Sequence, residues 1–172
     1  MSIPKHRLTE QTSLVDLIAI IEQSHHIFTR TEMSRIAAML DDEELATLSF
    51  SHEIRDCFEQ LRKDMEMHLL KEEHILFPYI ADLERNPALS QYSRFGSIRH
   101  PIRKMRLEHI AVYGLLEKLR ELTMQYCPTP GSHPKVFLLY AALAGLDGNL
   151  IQHMHLEDRV LFPRALQLGR QS

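Results

Sequence analysis

The sequence predicts an all-α protein that folds as a single domain, an antiparallel up-and-down four-helix bundle. Apolar residues recur three and four positions apart along most of the chain, and no stretch shows the alternation of a half-buried strand. An acidic cluster at residues 41–44 and two segments rich in helix-breaking residues divide the chain into four long helical stretches. With 172 residues, 44% of them hydrophobic, the chain is long enough to bury a substantial core. Amphipathic helices with short connections bury their apolar faces together as a bundle.

Local signals delimit the four helices. Thr12 or Ser13 is a suitable N-cap for the first helix, and Pro101 suits the first turn of the third. Pro78, inside the second helix, is expected to kink it or to break its last turns. A loop is expected over residues 87–96. The helices are therefore predicted over about residues 13–40, 51–85, 101–125 and 135–168.

Composition and charge argue against several classes of function. The formal net charge is −3 and no block of basic residues occurs, so neither nucleic acid nor an anionic membrane is an expected partner. The longest apolar run, residues 136–146, is too short to span a bilayer. Cys57 and Cys127 form no paired motif, and residues 1–6 lack the apolar region of a signal peptide. A reducing, cytoplasmic location is therefore expected.

Each predicted helix places one histidine in its apolar stripe, because residues three and four apart share a helix face. In the first helix His25 continues the stripe of Ile18 and Ile21, whereas His26 is one step out of phase. His25 is therefore the inward candidate. His26 is expected to face solvent, with a place behind the ligands or at the entrance to the site as the alternative. The corresponding histidines of the other three helices are His68, His109 and His153.

Two glutamates interrupt the same stripes: Glu72 lies one turn after His68, and Glu157 lies one turn after His153. A lone histidine in an apolar stripe is usually an ordinary core or boundary residue, but an unpaired buried carboxylate is costly. Four histidines and two glutamates directed at one interior would destabilise the fold unless cations neutralised them. A bundle core is also where such metal sites are built. The pattern therefore predicts a metal site.

The pattern occurs twice in the chain. Residues 68–78 have the form HxxxExxxLFP and residues 153–163 repeat it, with the other stripe histidines 43 and 44 residues upstream. A repeated helix pair of this kind predicts a pseudo-twofold axis and two equivalent metal ions. Imidazole and carboxylate without thiolate suit iron, manganese or zinc. Glutamates shared between the halves as bridges favour a di-iron or di-manganese pair, and with an oxo or hydroxo bridge each octahedral ion keeps one open position.

These residues resemble the haemerythrin-like, or HHE cation-binding, family, and within it the C-terminal domain of the di-iron proteins that repair iron centres. The segments that carry the resemblance are residues 25–30, 68–78, 108–109 and 153–165. The resemblance implies a haemerythrin-like bundle with two iron ions. It implies that the terminal ligands are His25, His68, His109 and His153, and that the bridging ligands are Glu72 and Glu157.

Two departures from the family pattern shape the functional expectation. Oxygen-carrying haemerythrins have a further histidine four residues after the histidine of the third helix, where this chain has Tyr113. That difference favours the more open site of a repair protein over an O₂ carrier. Repair proteins also typically carry a small N-terminal domain with paired cysteines, which this sequence does not show. A role that needs those thiols is therefore not expected of these residues.

The leading hypothesis is a cytoplasmic di-iron protein of nitrosative and oxidative stress, related to iron–sulfur cluster repair. It would bind NO, O₂ or peroxide at the open iron positions, and could reduce NO or release iron. A protein electron donor or iron acceptor would be its partner. Three alternatives stay open: an O₂ or redox sensor without turnover, an iron store or buffer of divalent metals, and a metal-free interaction bundle.

Overall fold

A computed structural model describes residues 12–46, 51–86 and 97–169. The regular structure of these ranges is entirely helical, which confirms the all-α class. Four long helices and one short helix are present in the described chain: α1 over 14–40, α2 over Glu43–Ala46, α3 over 51–85, α4 over Arg99–Leu122 and α5 over 134–168. The loop expected at 87–96 and the N-terminal residues 1–6 lie outside the described residues.

Three of the four long helices contain a π-helical turn, and α4 does not. The turns are Ile21–His26 in α1, Glu72–Leu76 in α3 and Glu157–Leu161 in α5. A π-helical turn bonds each N–H one residue further back than an α-helical turn does. It therefore shifts the face of the residues that follow by about one position, or about 100°.

The ends of α1 and α3 are tied together at one end of the bundle. Ser13 caps α1 as predicted, because its hydroxyl accepts the N–H of Asp16 at 2.9 Å. The Glu84 carboxylate, near the end of α3, accepts the N–H groups of Leu14 and Val15 at 2.7 and 3.0 Å. The first turn of a helix leaves backbone N–H groups without partners, and these bonds satisfy three of them and fix where α1 begins.

Pro78 does not end α3, which continues to Arg85. The proline is the second residue after the π-helical turn Glu72–Leu76, and Pro163 has the same place after Glu157–Leu161. A proline has no N–H to give to a preceding carbonyl. The altered hydrogen bonding of the π-helical turn accommodates that loss without breaking the helix. The expectation of a broken last turn is therefore wrong for the described residues.

The core consists of two apolar clusters. Between them lies a polar layer of six buried side chains: His26, His68, Glu72, His109, His153 and Glu157. One cluster is centred on residues such as Phe58, Leu61 and Leu143, and the other on Leu17, Phe77 and Phe162. Along each long helix the polar layer falls between the two clusters. In packing, α3 lies mainly against α4 and α1 mainly against α5. Within the described ranges, none of the helices combines the length and the apolar character that crossing a membrane would require.

Candidate metal centre

Four histidines and two glutamates, one histidine from each long helix, form the polar layer. Each side chain belongs to a residue that is at most 1% exposed: His26, His68, Glu72, His109, His153 and Glu157. Residues of these types are rarely buried so completely without partners. The layer therefore needs a physical explanation of its own.

Glu72 presents one carboxylate oxygen to each side of the layer. Its Oε1 lies 3.3 Å from Nε2 of His68, and its Oε2 lies 3.4 Å from Nε2 of His26. The same Oε2 is 3.7 Å from Nε2 of His153. A carboxylate in this position can serve two ions at once.

Glu157 repeats this arrangement in the second helix pair. Its Oε1 lies 3.0 Å from Nε2 of His153, and its Oε2 lies 3.2 Å from Nε2 of His109. Two groups of donors result, and within each group the donor atoms lie within 4.8 Å of one another. The first half-site contains His26 and His153, the second half-site contains His68 and His109, and both contain Glu72 and Glu157.

Several atoms at the centre of the layer are not satisfied by the chain itself. Among the described residues, no hydrogen-bond partner is present for either oxygen of Glu72, for Oε2 of Glu157, or for Nε2 of His68 and His109. Buried polar atoms in native structures nearly always have a partner. Carboxylate oxygens and imidazole nitrogens that converge in this way are the donor set of a metal ion, so the residues present fit the predicted metal.

The charges of the layer are mutually dependent. Burial opposes the charged form of His68, but the neighbouring carboxylates of Glu72 and Glu108 outweigh it and raise its pKa to about 10. At His153 burial is outweighed in the same way by Glu157 and Glu72, and the pKa rises to about 9. A metal ion needs the unprotonated nitrogen of a histidine. Metal binding must therefore displace protons, and its affinity must rise with pH.

Carboxylates outside the layer orient three of the four histidines. The contacts join Nδ1 of His26 to Glu73 at 2.7 Å, Nδ1 of His68 to Glu108 at 3.1 Å, and Nδ1 of His109 to Asp158 at 3.0 Å. A carboxylate accepts the Nδ1–H, which leaves Nε2 as the free nitrogen directed at the centre.

The histidine that α1 contributes to the layer is His26, whereas the sequence favoured His25. The ring of His25 instead stacks on that of His153, with centroids 5.7 Å apart. The π-helical turn Ile21–His26 is the physical reason, because it advances the inward face by one residue. Beyond the turn Thr29 is buried, while Phe28, which the unshifted stripe placed inside, is 39% exposed.

Arg30, one turn after His26 in α1, is part of the support of the His26 ring. Arg30 binds both oxygens of Glu73 at 2.8 and 2.9 Å, and Glu73 accepts the Nδ1–H of His26. An acidic residue directly after Glu72, together with an arginine one turn after His26, was the available signal. His74 and His155 are exposed and outside the layer.

A surface pocket of about 220 Å³ between α3 and α4 reaches the second half-site. Its lining includes His68 and Glu108, together with Asp64, Met67 and Lys71. A space of this size admits a small molecule to the outer edge of the His68 ring.

The comparisons agree with this architecture. Residues 16–165 match the model of the Hemerythrin HHE cation binding domain, and the chain therefore belongs to that family of haemerythrin-like cation-binding bundles. The iron-sulfur cluster repair protein YtfE of Edwardsiella ictaluri is 32% identical over 166 residues, which cover 94% of this chain and 70% of that protein. The protein of the same name from Yersinia pseudotuberculosis serotype O:1b is 28% identical over 165 residues, covering 92% of this chain and 68% of its own length.

Proposed function

We propose that the polar layer holds two iron ions, one in each half-site, with Glu72 and Glu157 shared between them. The observation that carries this proposal is that each glutamate directs one oxygen to either half-site. The set of imidazole and carboxylate donors is the one that non-haem iron uses. Manganese or zinc is the expected substitute, and an oxo or hydroxo bridge would complete the pair.

The iron pair would supply electrons and open coordination positions for NO, O₂ or peroxide. The chain provides the surroundings for that chemistry. Three outer carboxylates fix the orientation of the histidine rings, and the two apolar clusters exclude water from both sides of the layer. The pocket beside His68 and Glu108 is the approach for a small ligand.

The biological role that we propose is iron–sulfur cluster repair under nitrosative and oxidative stress, in the cytoplasm. Family membership and the repair proteins among the relatives support this role. A protein that receives iron, or one that supplies electrons, would be the partner. An NO-reducing or oxidase-type activity is the enzymatic form that the site would support.

Elemental analysis of protein expressed in iron-replete medium tests the metal proposal. We expect two irons per chain, a loss of iron in His68→Ala and His153→Ala, and no loss in His155→Ala, because His155 is exposed. Iron-free protein, or iron retained equally in all three variants, would mean that these donors do not form the site.

The reaction with NO tests the function. Anaerobic, fully reduced protein is mixed with NO while the absorption spectrum and the NO concentration are followed. We expect a new absorption spectrum and consumption of NO. A spectral change that stops at one equivalent would indicate a sensor without turnover, and no change at all would contradict the proposed role.

A further inference from the structure

The two half-sites differ in what lies behind their histidines. In the second half-site each histidine ring donates its Nδ1–H to a carboxylate that is itself paired with a cationic side chain, and we call such a carboxylate a brace. Nδ1 of His68 lies 3.1 Å from Glu108, whose other oxygen lies 2.5 Å from Nζ of Lys71. The corresponding contacts at His109 are Nδ1 to Asp158 at 3.0 Å, and Asp158 to Nε of Arg106 at 3.3 Å.

Among the described residues, the first half-site has only one such brace. His26 donates to Glu73 at 2.7 Å, and Arg30 holds that carboxylate through two hydrogen bonds. Nδ1 of His153 is buried and has no hydrogen-bond partner in the part of the chain that the structure describes. The group beside it is the ring of His25, which stacks on it at an interplanar angle of 12°.

The sequence repeat locates this difference at a single position. Glu108 directly precedes His109 in α4, and the residue that directly precedes His26 in α1 is His25. The repeat therefore places His25 where the second helix pair has a carboxylate. Glu108 accepts the Nδ1–H of His68, the histidine of the first HxxxE motif. His25 has the equivalent place beside His153, the histidine of the second motif, but it stacks on that ring and accepts no proton from it.

A histidine ligand that donates its other N–H to a carboxylate is oriented and more basic, and the loss of such a partner typically lowers metal affinity by about 10–100-fold. We infer that the two metal positions are inequivalent, and that the ion between His26 and His153 is the more weakly held and leaves first. This inference rests on the proposed two-ion site. It assigns to the first half-site the ion that the protein can give up.

Zinc is a suitable probe, because it is diamagnetic and takes the same donors. The full chain is loaded with two zinc ions and titrated with a chelator, while the ring ¹⁵N signals of the histidines are followed by NMR. We expect the signals of His26 and His153 to change with the first ion lost, and those of His68 and His109 with the second. The two affinities should differ by about 10–100-fold.

Reciprocal variants test whether position 25 causes the difference. We expect His25→Glu to supply a brace for His153. This should raise the metal affinity of the first half-site and reduce the difference between the two affinities. Glu108→Gln should lower the metal affinity of the second half-site and so also reduce the difference between the two affinities. The matched control is Glu73→Gln, which removes the brace of His26 in the first half-site. It should increase the difference between the two affinities. A merely structural role for these residues would change both positions equally.

The outcomes separate this inference from the proposed function. Release of the second half-site's ion first, or of both ions in one step, overturns the inference and leaves the two-ion site intact. A chain that binds fewer than two zinc ions at saturation, and also lacks two irons by elemental analysis, overturns both. Circular dichroism of each variant confirms that the helices are retained before affinities are compared.

Discussion

Two buried polar clusters of the described residues differ in how their charges are compensated. At the end of the bundle away from α1's N-terminus, Asp147 of α5 is 4% exposed and accepts hydrogen bonds from Arg120 at 2.6 and 2.7 Å. The hydroxyl of Tyr126 adds a third at 2.6 Å. In the polar layer, by contrast, both oxygens of Glu72 and one oxygen of Glu157 have no hydrogen-bond partner among the described residues.

This difference separates a structural cluster from a binding site. The charge of Asp147 is compensated within the chain, so the cluster is complete and joins α4, α5 and the turn between them. The glutamates of the polar layer face histidine nitrogens that converge on the same points, and a buried carboxylate without compensation is costly. An added cation between the histidine nitrogens and the carboxylate oxygens would supply that compensation.

The largest expected effect is the loss of both metal ions when one shared glutamate is changed. Glu72→Gln and Glu157→Gln each remove a carboxylate that faces both half-sites. We expect the metal content to fall from two ions to fewer than one per chain by elemental analysis. Asp147→Asn is the matched control, since it changes the other buried carboxylate, and should retain two ions. Two ions retained in either glutamine variant would contradict the shared role.

The next largest effect is the loss of one ion, and it tests the helix register of α1. His26→Ala should lose the ion of the first half-site, because Nε2 of His26 lies 3.4 Å from Glu72. His25→Ala should retain two ions, because His25 stacks on His153 from outside the donor group. The metal content of the two variants, measured side by side, decides which histidine of α1 is the ligand. The reverse result would restore His25 as the ligand that the sequence favoured.

Helical periodicity locates a residue of the layer wherever the helix is regular up to that point. His109 belongs to the uninterrupted α4, and its stripe of Ile102, Met105, Val112 and Leu116 is buried as the sequence predicts. His68 and His153 likewise precede the π-helical turns of their helices. Their positions follow from sequence spacing, while their role as metal ligands stays a prediction.

Periodicity fails where the register changes. In α1 the π-helical turn comes before the site and exchanges His25 for His26, and nothing in the spacing of apolar residues announces such a turn. The Asp147 cluster could not be located either, because Tyr126 reaches it through three consecutive residues with positive φ angles of 49°, 59° and 59°. The available signal was that Asp147 is the single charged residue in the stretch 136–150.

A smaller effect, on stability alone, is expected from Asp147→Asn. The substitution removes the charge that holds the Arg120 guanidinium and weakens a partly buried ion pair. We expect the free energy of unfolding to fall by about 2–3 kcal/mol in urea titrations of the metal-free protein. Asp82→Asn, which breaks the exposed pair with Arg85, should change stability less. Equal effects of the two substitutions would mean that the cluster does not hold the helices together.

The smallest effect concerns pH. Burial and the neighbouring Asp147 raise the pKa of Tyr126, so the folded protein keeps this proton at a pH where the unfolded chain loses it. The unfolded state then binds fewer protons than the folded state, and stability falls as the pH rises above about 10. Tyr126→Phe removes this contribution but also the hydrogen bond to Asp147, which we expect to lower stability at pH 7 by about 1–2 kcal/mol.

The two effects of this substitution have opposite signs and only the second changes with pH, which makes the prediction specific. Between pH 7 and pH 11 the stability advantage of the parent chain over Tyr126→Phe should shrink by about 1.4 kcal/mol, the value for one pH unit above an unfolded pKa of about 10. Other groups that titrate in this range cancel in the difference because both proteins contain them. Urea midpoints at the two pH values provide the measurement. A stability difference that does not change with pH would show that Asp147 does not hold the Tyr126 proton.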